Sequence, residues 1–243
     1  MLYHTQGIVF HTTKFSETSL IAKIYTDAFG LQSYMVNGVR KSKSKVSAAL
    51  LQPLTLLDLV VYHREQKNIQ RIKDIKPALT FTQIPFNISK SSLALFTAEL
   101  LHKTIKERTA DKEQFVFLFE AIKSLDQLAS GIANWHLWFL LALSRYLGSF
   151  PNNNFSLEKQ QIFFDLKEGY FVVQQPSHSY YLSPPTSQLL SALLPLSKTE
   201  ILHFPLRQNQ RQQLLQTLVK YYEFHVEGFK PLKSLRVLQT VLG

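Results

Sequence analysis

The stretch Gly30-Leu-Gln-Ser-Tyr-Met-Val-Asn-Gly-Val-Arg-Lys-Ser-Lys-Ser-Lys45 joins a strand-like segment to a strongly basic one. The alternation of residues from Leu31 to Asn37 with polar and aromatic neighbours is typical of a strand end. Arg40–Lys45 then places four cations in six residues, with no acid among them. A basic loop carried by a small β module suits contact with a phosphate backbone. A solvated surface loop is the alternative that such a short run leaves open.

Five short segments around this stretch are rich in β-branched and aromatic residues: Gly7–Phe10, Thr18–Tyr25, Gly30–Val36, Leu54–Tyr62 and Ile69–Ile75. The apolar residues of the last segment are three apart, a spacing that fits a strand only if it contains a bulge. No segment between them is long enough for a βαβ crossover, although Ser44–Leu51 could form one short helix. The pattern predicts a five-stranded OB-fold β-barrel, a frequent carrier of single-stranded nucleic acid.

The pattern changes to helical periodicity after Pro77–Ser89, which we interpret as a linker. The predicted fold class is therefore α+β, with an OB-fold nucleic-acid-binding domain over residues 1–80 and a mainly α-helical domain over 81–243. Residues from about 150 to 182 are predicted to be an insert with a small β-hairpin around Lys167-Glu-Gly169. Helices are predicted near Leu93–Ile105, Phe115–Leu125, Asn134–Leu147, Thr186–Leu194, Arg207–Val226 and Leu232–Leu242.

The charge of the chain is strongly positive, with 27 Lys and Arg against 17 Asp and Glu and a formal net charge of +10. Residues 1–80 hold eleven of these cations and five of the acids, so the cationic density is highest in the predicted barrel. Such an imbalance favours a polyanionic partner, either nucleic acid, a membrane surface or an acidic protein tail. With no secretory signal and no long apolar run, we expect a soluble, cytoplasmic protein without a membrane partner.

The residue types of known catalytic sites do not converge in this sequence. There is no cysteine, which excludes thiol catalysis and cysteine-based metal sites. The eight histidines are scattered singly, and neither a glycine-rich phosphate loop nor a Gly-x-Ser-x-Gly elbow is present. We expect a protein that is not an enzyme and that carries no metal or cofactor.

The candidate DNA-binding residues are the cations of the predicted barrel together with one tyrosine. Four aromatic residues lie near these cations and could either stack on bases or fill the barrel: Phe10, Phe15, Tyr34 and Tyr62. The candidate contacts are Arg40, Lys41, Lys43, Lys45, Lys14, Tyr34, Arg64, Lys67, Arg71 and Lys73.

Several segments resemble the RecO family of bacterial DNA repair proteins. The opening segments Gly7–Phe10, Phe15–Ile21 and Tyr25–Gly30 are similar to that family's first strands and turn. The resemblance continues in Val36–Ser44 and the Leu-Gln-Pro step Leu51–Leu54, and it closes with Tyr221–His225 and Leu232–Leu235.

This resemblance implies an OB-fold followed by a helical domain, and a DNA-repair mediator that binds single- and double-stranded DNA and anneals complementary strands. It implies RecR and the acidic tail of single-stranded DNA-binding protein (SSB) as partners, RecA loading as the outcome, and a nucleoid-associated location in the cytoplasm. It also implies that Arg40–Lys45 contacts DNA.

The chain departs from the family in one respect. Many members carry a four-cysteine zinc motif in the helical domain, where this chain has the insert Asn152–Leu182 with no cysteine and one histidine, His178. A zinc site cannot be built there, so we expect the hairpin from Phe163 to Val173 to keep its shape by packing.

Two other functions stay open at this point. In the first, the helical domain is a protein-interaction adaptor, with Lys103, Lys106, Arg108 and Arg145 as candidate contacts for an acidic tail and the barrel mainly a scaffold. In the second, the chain is an RNA-binding translation factor of OB type, because neither a basic loop nor aromatic stacking distinguishes ribose from deoxyribose.

Overall fold

The computed structural model of the chain describes residues 1–39 and 47–242. These residues form two units that divide after Gln127. Four of the predicted DNA contacts, Arg40, Lys41, Lys43 and Lys45, lie outside the described residues.

The first unit is built on a closed barrel in which the strands are ordered β1-β2-β3-β5-β4. Neighbouring strands are antiparallel except for β3 and β5, which run parallel. The five strands and their order confirm the predicted OB-fold barrel. Their bounds are Leu2–Lys14 (β1), Leu20–Thr26 (β2), Gly30–Val36 (β3), Leu56–Tyr62 (β4) and Gln70–Pro77 (β5).

The predicted bulge in the last strand is present. Val60 of β4 pairs with Asp74 of β5, but the next residue, Val61, pairs with Ile72, so Lys73 is an extra residue. The bulge lets Ile72 and Ile75, three apart in sequence, both pack against the barrel core, whereas Ile69 precedes β5. A single 3-10 turn, Ala48–Leu51, precedes β4 where a short helix was predicted.

Over Gly7–Phe10 both faces of β1 are buried, unlike those of a strand with one face in water. Val9 packs into the barrel core, while Ile8 and Phe10 are also buried but alternate to the opposite face. Phe10 stacks on Tyr25 at 5.5 Å between ring centroids, and Tyr25 lies 6.1 Å from Phe115. These contacts place the outer face of the barrel against α1 (Ile88–Thr104) and α2 (Lys112–Gln127). The predicted boundary at residue 80 therefore falls inside this unit.

The predicted linker before α1 is held by the buried carboxylate of Asp126, near the end of α2. It accepts hydrogen bonds from the backbone N–H groups of Thr82, Gln83 and Ile84 at 2.8 to 2.9 Å. Lys90 Nζ donates to the main-chain oxygen of Asp126 at 2.7 Å. Burial acts to raise the pKa of this carboxyl, but the hydrogen bonds outweigh it and hold the pKa below its usual range.

The second unit contains five helices and a small sheet ordered β7-β6-β8. The antiparallel pairing of β6 with β7 confirms the predicted hairpin, whereas β8 and the six-residue α5 were not predicted. Asn134 precedes α3 without capping it through its side chain, which instead donates to the carbonyls of Ile201 and Phe204. The bounds are Trp135–Tyr146 (α3), Phe163–Asp165 (β6), Tyr170–Val172 (β7), Tyr181–Leu182 (β8), Thr186–Leu193 (α4), Lys198–His203 (α5), Gln208–His225 (α6) and Ser234–Leu242 (α7).

Candidate nucleic-acid interface

The loop between β4 and β5 is shaped by one buried side chain, Gln70, which is 2% exposed. Its side-chain oxygen accepts from the N–H of Arg64 at 3.0 Å, and its amide nitrogen donates to the carbonyls of Arg64 and Lys67, both at 2.8 Å. A backbone hydrogen bond from Lys67 to Arg64 closes the turn between them. Gln70 therefore fixes the backbone from which Arg64 and Lys67 extend.

A groove of about 400 Å³ lies beside this loop, and we call it the β4–β5 groove. Its walls carry an exposed aromatic ring, an exposed aliphatic side chain and three cations. None of the three cations forms an ion pair with any described residue. The groove is lined by Tyr62, Arg64, Lys67, Ile69, Gln70 and Arg71.

The positive charge of this groove comes from the arginines and the lysine rather than from the neighbouring histidine. His63 stacks on Phe29 with the ring centroids 3.9 Å apart. Burial lowers the pKa of His63, so its ring is neutral near neutral pH. The Tyr62 ring among these cations is 47% accessible. The cations can bind phosphates while the exposed ring stacks on the face of one base. In OB-folds the loop between strands 4 and 5 is a usual site for oligonucleotides.

The other usual OB-fold surface, the face of strands 2 and 3, is partly covered by the chain itself. The segment 105–111 between α1 and α2 lies across the start of β3, where Leu31 N–H donates to the carbonyl of Glu107 at 2.9 Å. The Tyr25 hydroxyl donates to Gln114 at 2.7 Å. Gly30 has a φ of +61° and faces the backbone of Thr109, so a side chain there would be strained and would collide with that backbone. A ligand can therefore reach this face only away from the covered end.

The structure gathers some of the predicted DNA contacts and separates others. Arg64, Lys67 and Arg71 share the β4–β5 groove. Lys73 is exposed at the bulge of β5, and Lys14 is exposed at the end of β1, before the loop that carries Phe15. Phe15, like Tyr62, is an exposed aromatic residue.

Tyr34 was predicted to contact DNA, and its position in the structure contradicts that prediction. The side chain is 0% exposed and belongs to the barrel core, so no ring face is available to a base. Phe10 is buried as well. Of the four aromatic residues near the cations, Phe15 and Tyr62 face solvent, whereas Phe10 and Tyr34 lie in the buried parts of β1 and β3.

The four residues predicted to bind an acidic tail do not share a surface within one unit. Lys103 pairs with Glu99 at 2.7 Å, and Lys106 is exposed on the segment after α1. Arg108 donates to the side chain of Asn68 at 2.9 Å, which places it beside the β4–β5 loop. Arg145 belongs to the second unit, where its guanidinium lies 3.9 Å from the centre of the Phe150 ring.

The insert is held by an aromatic cluster and not by a set of metal ligands. Phe171 packs against Phe164 at 4.9 Å and against Phe155 at 5.2 Å. The side chain of Asn154 bonds both the N–H and the carbonyl of Phe171, at 2.7 and 2.9 Å. Across residues 1–39 and 47–242, no group of three or more histidines and acids could hold a metal ion. The insert does not fit a zinc site.

Two further observations concern the chain as a whole. Within the described ranges no helix is long and apolar enough to cross a membrane. Two family models match: the N-terminal domain of recombination protein O over residues 1–81, and its C-terminal domain over residues 85–236.

Proteins named "DNA repair protein RecO" are similar to the chain over their full length. The protein of Azobacteroides pseudotrichonymphae is 32% identical, with 99% of each chain covered. Those of Phocaeicola vulgatus and Flavobacterium psychrophilum are 34% and 36% identical, with 100% of each chain covered.

Proposed function

The chain belongs to the RecO family of DNA repair proteins, and from this premise we propose how it acts in recombination. It binds single- and double-stranded DNA and anneals complementary strands. With RecR it helps RecA load onto DNA that is coated with SSB, whose acidic tail it engages. The coarse role, in DNA repair and recombination, follows from the family. The finer steps are the proposal.

The observation that carries the proposal is the β4–β5 groove, where three cations with no acidic partner in the described part of the chain surround an exposed tyrosine. A chain with a net charge of +10 binds polyanions in general, but this groove adds a flat ring that a base can stack on. The remaining proposed contacts are Lys14, Lys73 and the basic segment Arg40–Lys45. Lys14 and Lys73 are exposed cations outside the groove, and the four cations of Arg40–Lys45 belong to the proposal by sequence alone. Contacts to phosphates bind DNA strands through their backbones, without regard to base sequence.

The cationic part of the proposal is tested by replacing Arg64, Lys67 and Arg71 together with alanine. Each phosphate contact on a single strand contributes about −0.7 to the slope of log affinity against log salt, so the triple variant should reduce the magnitude of that slope by about 2. Fluorescence anisotropy with a labelled oligonucleotide across a salt series measures it. Lys76→Ala with Lys123→Ala is the matched control, because those lysines pair with Asp58 and Glu120 and lie outside the groove.

The aromatic part is tested at Tyr62, with Tyr34 as the control. Tyr62→Ala should weaken single-strand binding by about fivefold or more, since stacking on one base contributes about 1–3 kcal/mol. Tyr62→Phe should retain binding. Tyr34→Phe should leave binding unchanged, because that side chain is fully buried in the barrel core, where no base can reach it.

An annealing assay on SSB-coated complementary strands tests whether DNA binding in the groove is needed for annealing. The groove variant should anneal more slowly at every salt concentration at which the unsubstituted chain is active. A chain that binds an SSB-tail peptide but no oligonucleotide would instead be the protein-interaction adaptor. A chain that anneals normally without the three groove cations would show that the groove is not the DNA contact.

A further inference from the structure

The second unit carries a surface cluster of two lysines and two aromatic rings, Lys167, Tyr180, Lys220 and Phe224, which we call the lysine–aromatic cluster. Tyr180 and Phe224 meet edge to face at 5.0 Å. Lys220 Nζ lies 5.0 Å from the centre of the Tyr180 ring and 5.3 Å from that of Phe224. Lys167 Nζ lies 5.3 Å from the Tyr180 ring. The two rings are nevertheless 39% and 36% exposed.

The backbone under the cluster is fixed without help from the four side chains. In the β6–β7 turn, the Asp165 carboxylate accepts from the N–H groups of Lys167 and Glu168 at 2.9 and 3.2 Å. Leu166 N–H donates to the carbonyl of Tyr180 at 3.0 Å, and Tyr180 N–H donates to His178 Nδ1 at 3.2 Å. Lys220 and Phe224 are one turn apart on α6. The rings and cations are therefore presented on a prearranged surface, which lowers the entropic cost of binding.

The charges next to the cluster leave it able to take an anion. Glu223 accepts from Lys220 Nζ at 2.6 Å, and this interaction raises the pKa of Lys220. The ammonium has three donors, so it can keep Glu223 and still donate to a phosphate oxygen. Lys167 has no acidic partner among the described residues. The nearby Asp165 is occupied by the turn and by His178, which lies 3.3 Å away.

We propose that the lysine–aromatic cluster is a second contact for single-stranded nucleic acid, outside the β4–β5 groove and on a different unit. The inference rests on the proposed function, because it assigns another binding surface to the same ligand. A nucleotide uses both parts of the cluster: phosphates meet the two ammonium groups, and a base stacks on an exposed ring. The carboxylates of an acidic peptide would also meet the lysines, but they offer no planar group to stack on the rings, as each base of a nucleic acid does.

The test uses the full-length chain, a labelled thymine oligonucleotide and a salt series. Tyr180→Ala with Phe224→Ala should weaken binding by about fivefold or more, the low end of the contribution from stacking on one base. Lys167→Ala with Lys220→Ala should reduce the magnitude of the salt slope by about 1.4, from two lost phosphate contacts. Lys123→Ala is the matched control, since Lys123 pairs with Glu120 three residues away but lies over no aromatic ring.

Photocrosslinking of a bromouracil oligonucleotide to the unsubstituted chain gives a readout that does not depend on how the variants fold. Crosslinked peptides that contain Tyr180 or Phe224 are expected. The inference is overturned if both double variants bind like the unsubstituted chain, if they lose only binding of an acidic peptide, or if no crosslink maps to the cluster. If the unsubstituted chain binds no oligonucleotide at any salt concentration, the proposed function fails together with it. If only the β4–β5 groove variant loses binding, the proposed function stands and this inference falls.

Discussion

At the scale of single residues, the proposed interface depends on Gln70, whose side chain shapes the β4–β5 loop without needing to contact DNA itself. Gln70→Ala removes all three side-chain hydrogen bonds to the β4–β5 loop, and only the bond from Lys67 N–H to the Arg64 carbonyl is left to hold the turn. We expect a loss of about 1–3 kcal/mol in the free energy of unfolding, measured in urea. Oligonucleotide affinity should fall as well, while the salt slope stays unchanged because the cations remain.

The control for this change is Gln6→Ala, which removes one exposed hydrogen bond to Asp58 on the same barrel. It should alter neither quantity. If Gln70→Ala lowers stability but binds oligonucleotide with full affinity, the conformation of the loop is unimportant for binding. No sequence pattern singles out Gln70, because its role comes from the burial of one amide under one turn, and a lone glutamine carries no such signal.

Asp126 leads to a prediction, also at the residue scale, about how stability depends on pH. Its pKa in the folded chain lies below the ordinary value of 3.8, so its contribution to stability is fully present above that value. The contribution is lost as the pH falls through the lowered pKa, because protonation then disrupts the hydrogen bonds to residues 82–84. Asp126→Asn should lower the free energy of unfolding near neutral pH, and its stability should decline less steeply below about pH 4.

Denaturant unfolding of both chains at a series of acidic pH values checks this prediction. Asp74→Asn is the control, since Asp74 is exposed and accepts one hydrogen bond, from its neighbour Ile75. Parallel acid-stability curves for the unsubstituted chain and Asp126→Asn would contradict it.

At the scale of elements, period and spacing in the sequence predicted most of the fold. The three-residue spacing in Ile69–Ile75 predicted the bulge that the pairing of Val60 and Val61 reveals. The elements that sequence reasoning missed are short: β8 has two residues, the 3-10 helix Ile132–Asn134 has three, and α5 has six, all too few for a periodic signal. Sequence reasoning also could not tell which aromatic residues lie in the core and which lie on the surface. Tyr34 is buried because its side chain belongs to the barrel core, whereas Tyr62 on β4 is 47% exposed.

The basic segment Arg40–Lys45 is the element whose role is still a prediction, since it lies outside the described residues. Its four cations should act as a patch, because phosphate contacts are individually weak and add through counterion release. Single alanine substitutions of Arg40, Lys41, Lys43 and Lys45 should each slow strand annealing slightly, and the quadruple substitution should slow it strongly. Annealing rates across a salt series would measure this. A single lysine that accounts for the whole loss would point to a specific contact instead of a patch.

At the scale of the whole molecule, the outer face of the barrel decides which part of the chain can fold alone. Ile8, Phe10 and Tyr25 are fully buried on that face, and Phe115 of α2 packs beside Tyr25. The linker is held to α2 by the hydrogen bonds that Asp126 accepts. A fragment of residues 1–80 loses both helices and exposes these large apolar side chains to water, at about 25 cal/mol for each Å² uncovered. A fragment of residues 1–127 keeps them covered. The first fragment should therefore aggregate or unfold without cooperativity, and the second should unfold in one cooperative transition.

Calorimetry and amide NMR spectra of the two fragments test this expectation, and oligonucleotide binding extends it to function. The fragment 1–127 contains the whole β4–β5 groove, so the triple groove substitution should reduce its salt slope by the same amount, about 2, as in the full chain. It lacks the lysine–aromatic cluster, and its single-strand affinity should be lower than that of the full chain for that reason. A folded, cooperative fragment 1–80 would show instead that the barrel tolerates an open outer face and that the helices belong to a separate domain. In that case the domain boundary would lie at residue 80, as the sequence predicts.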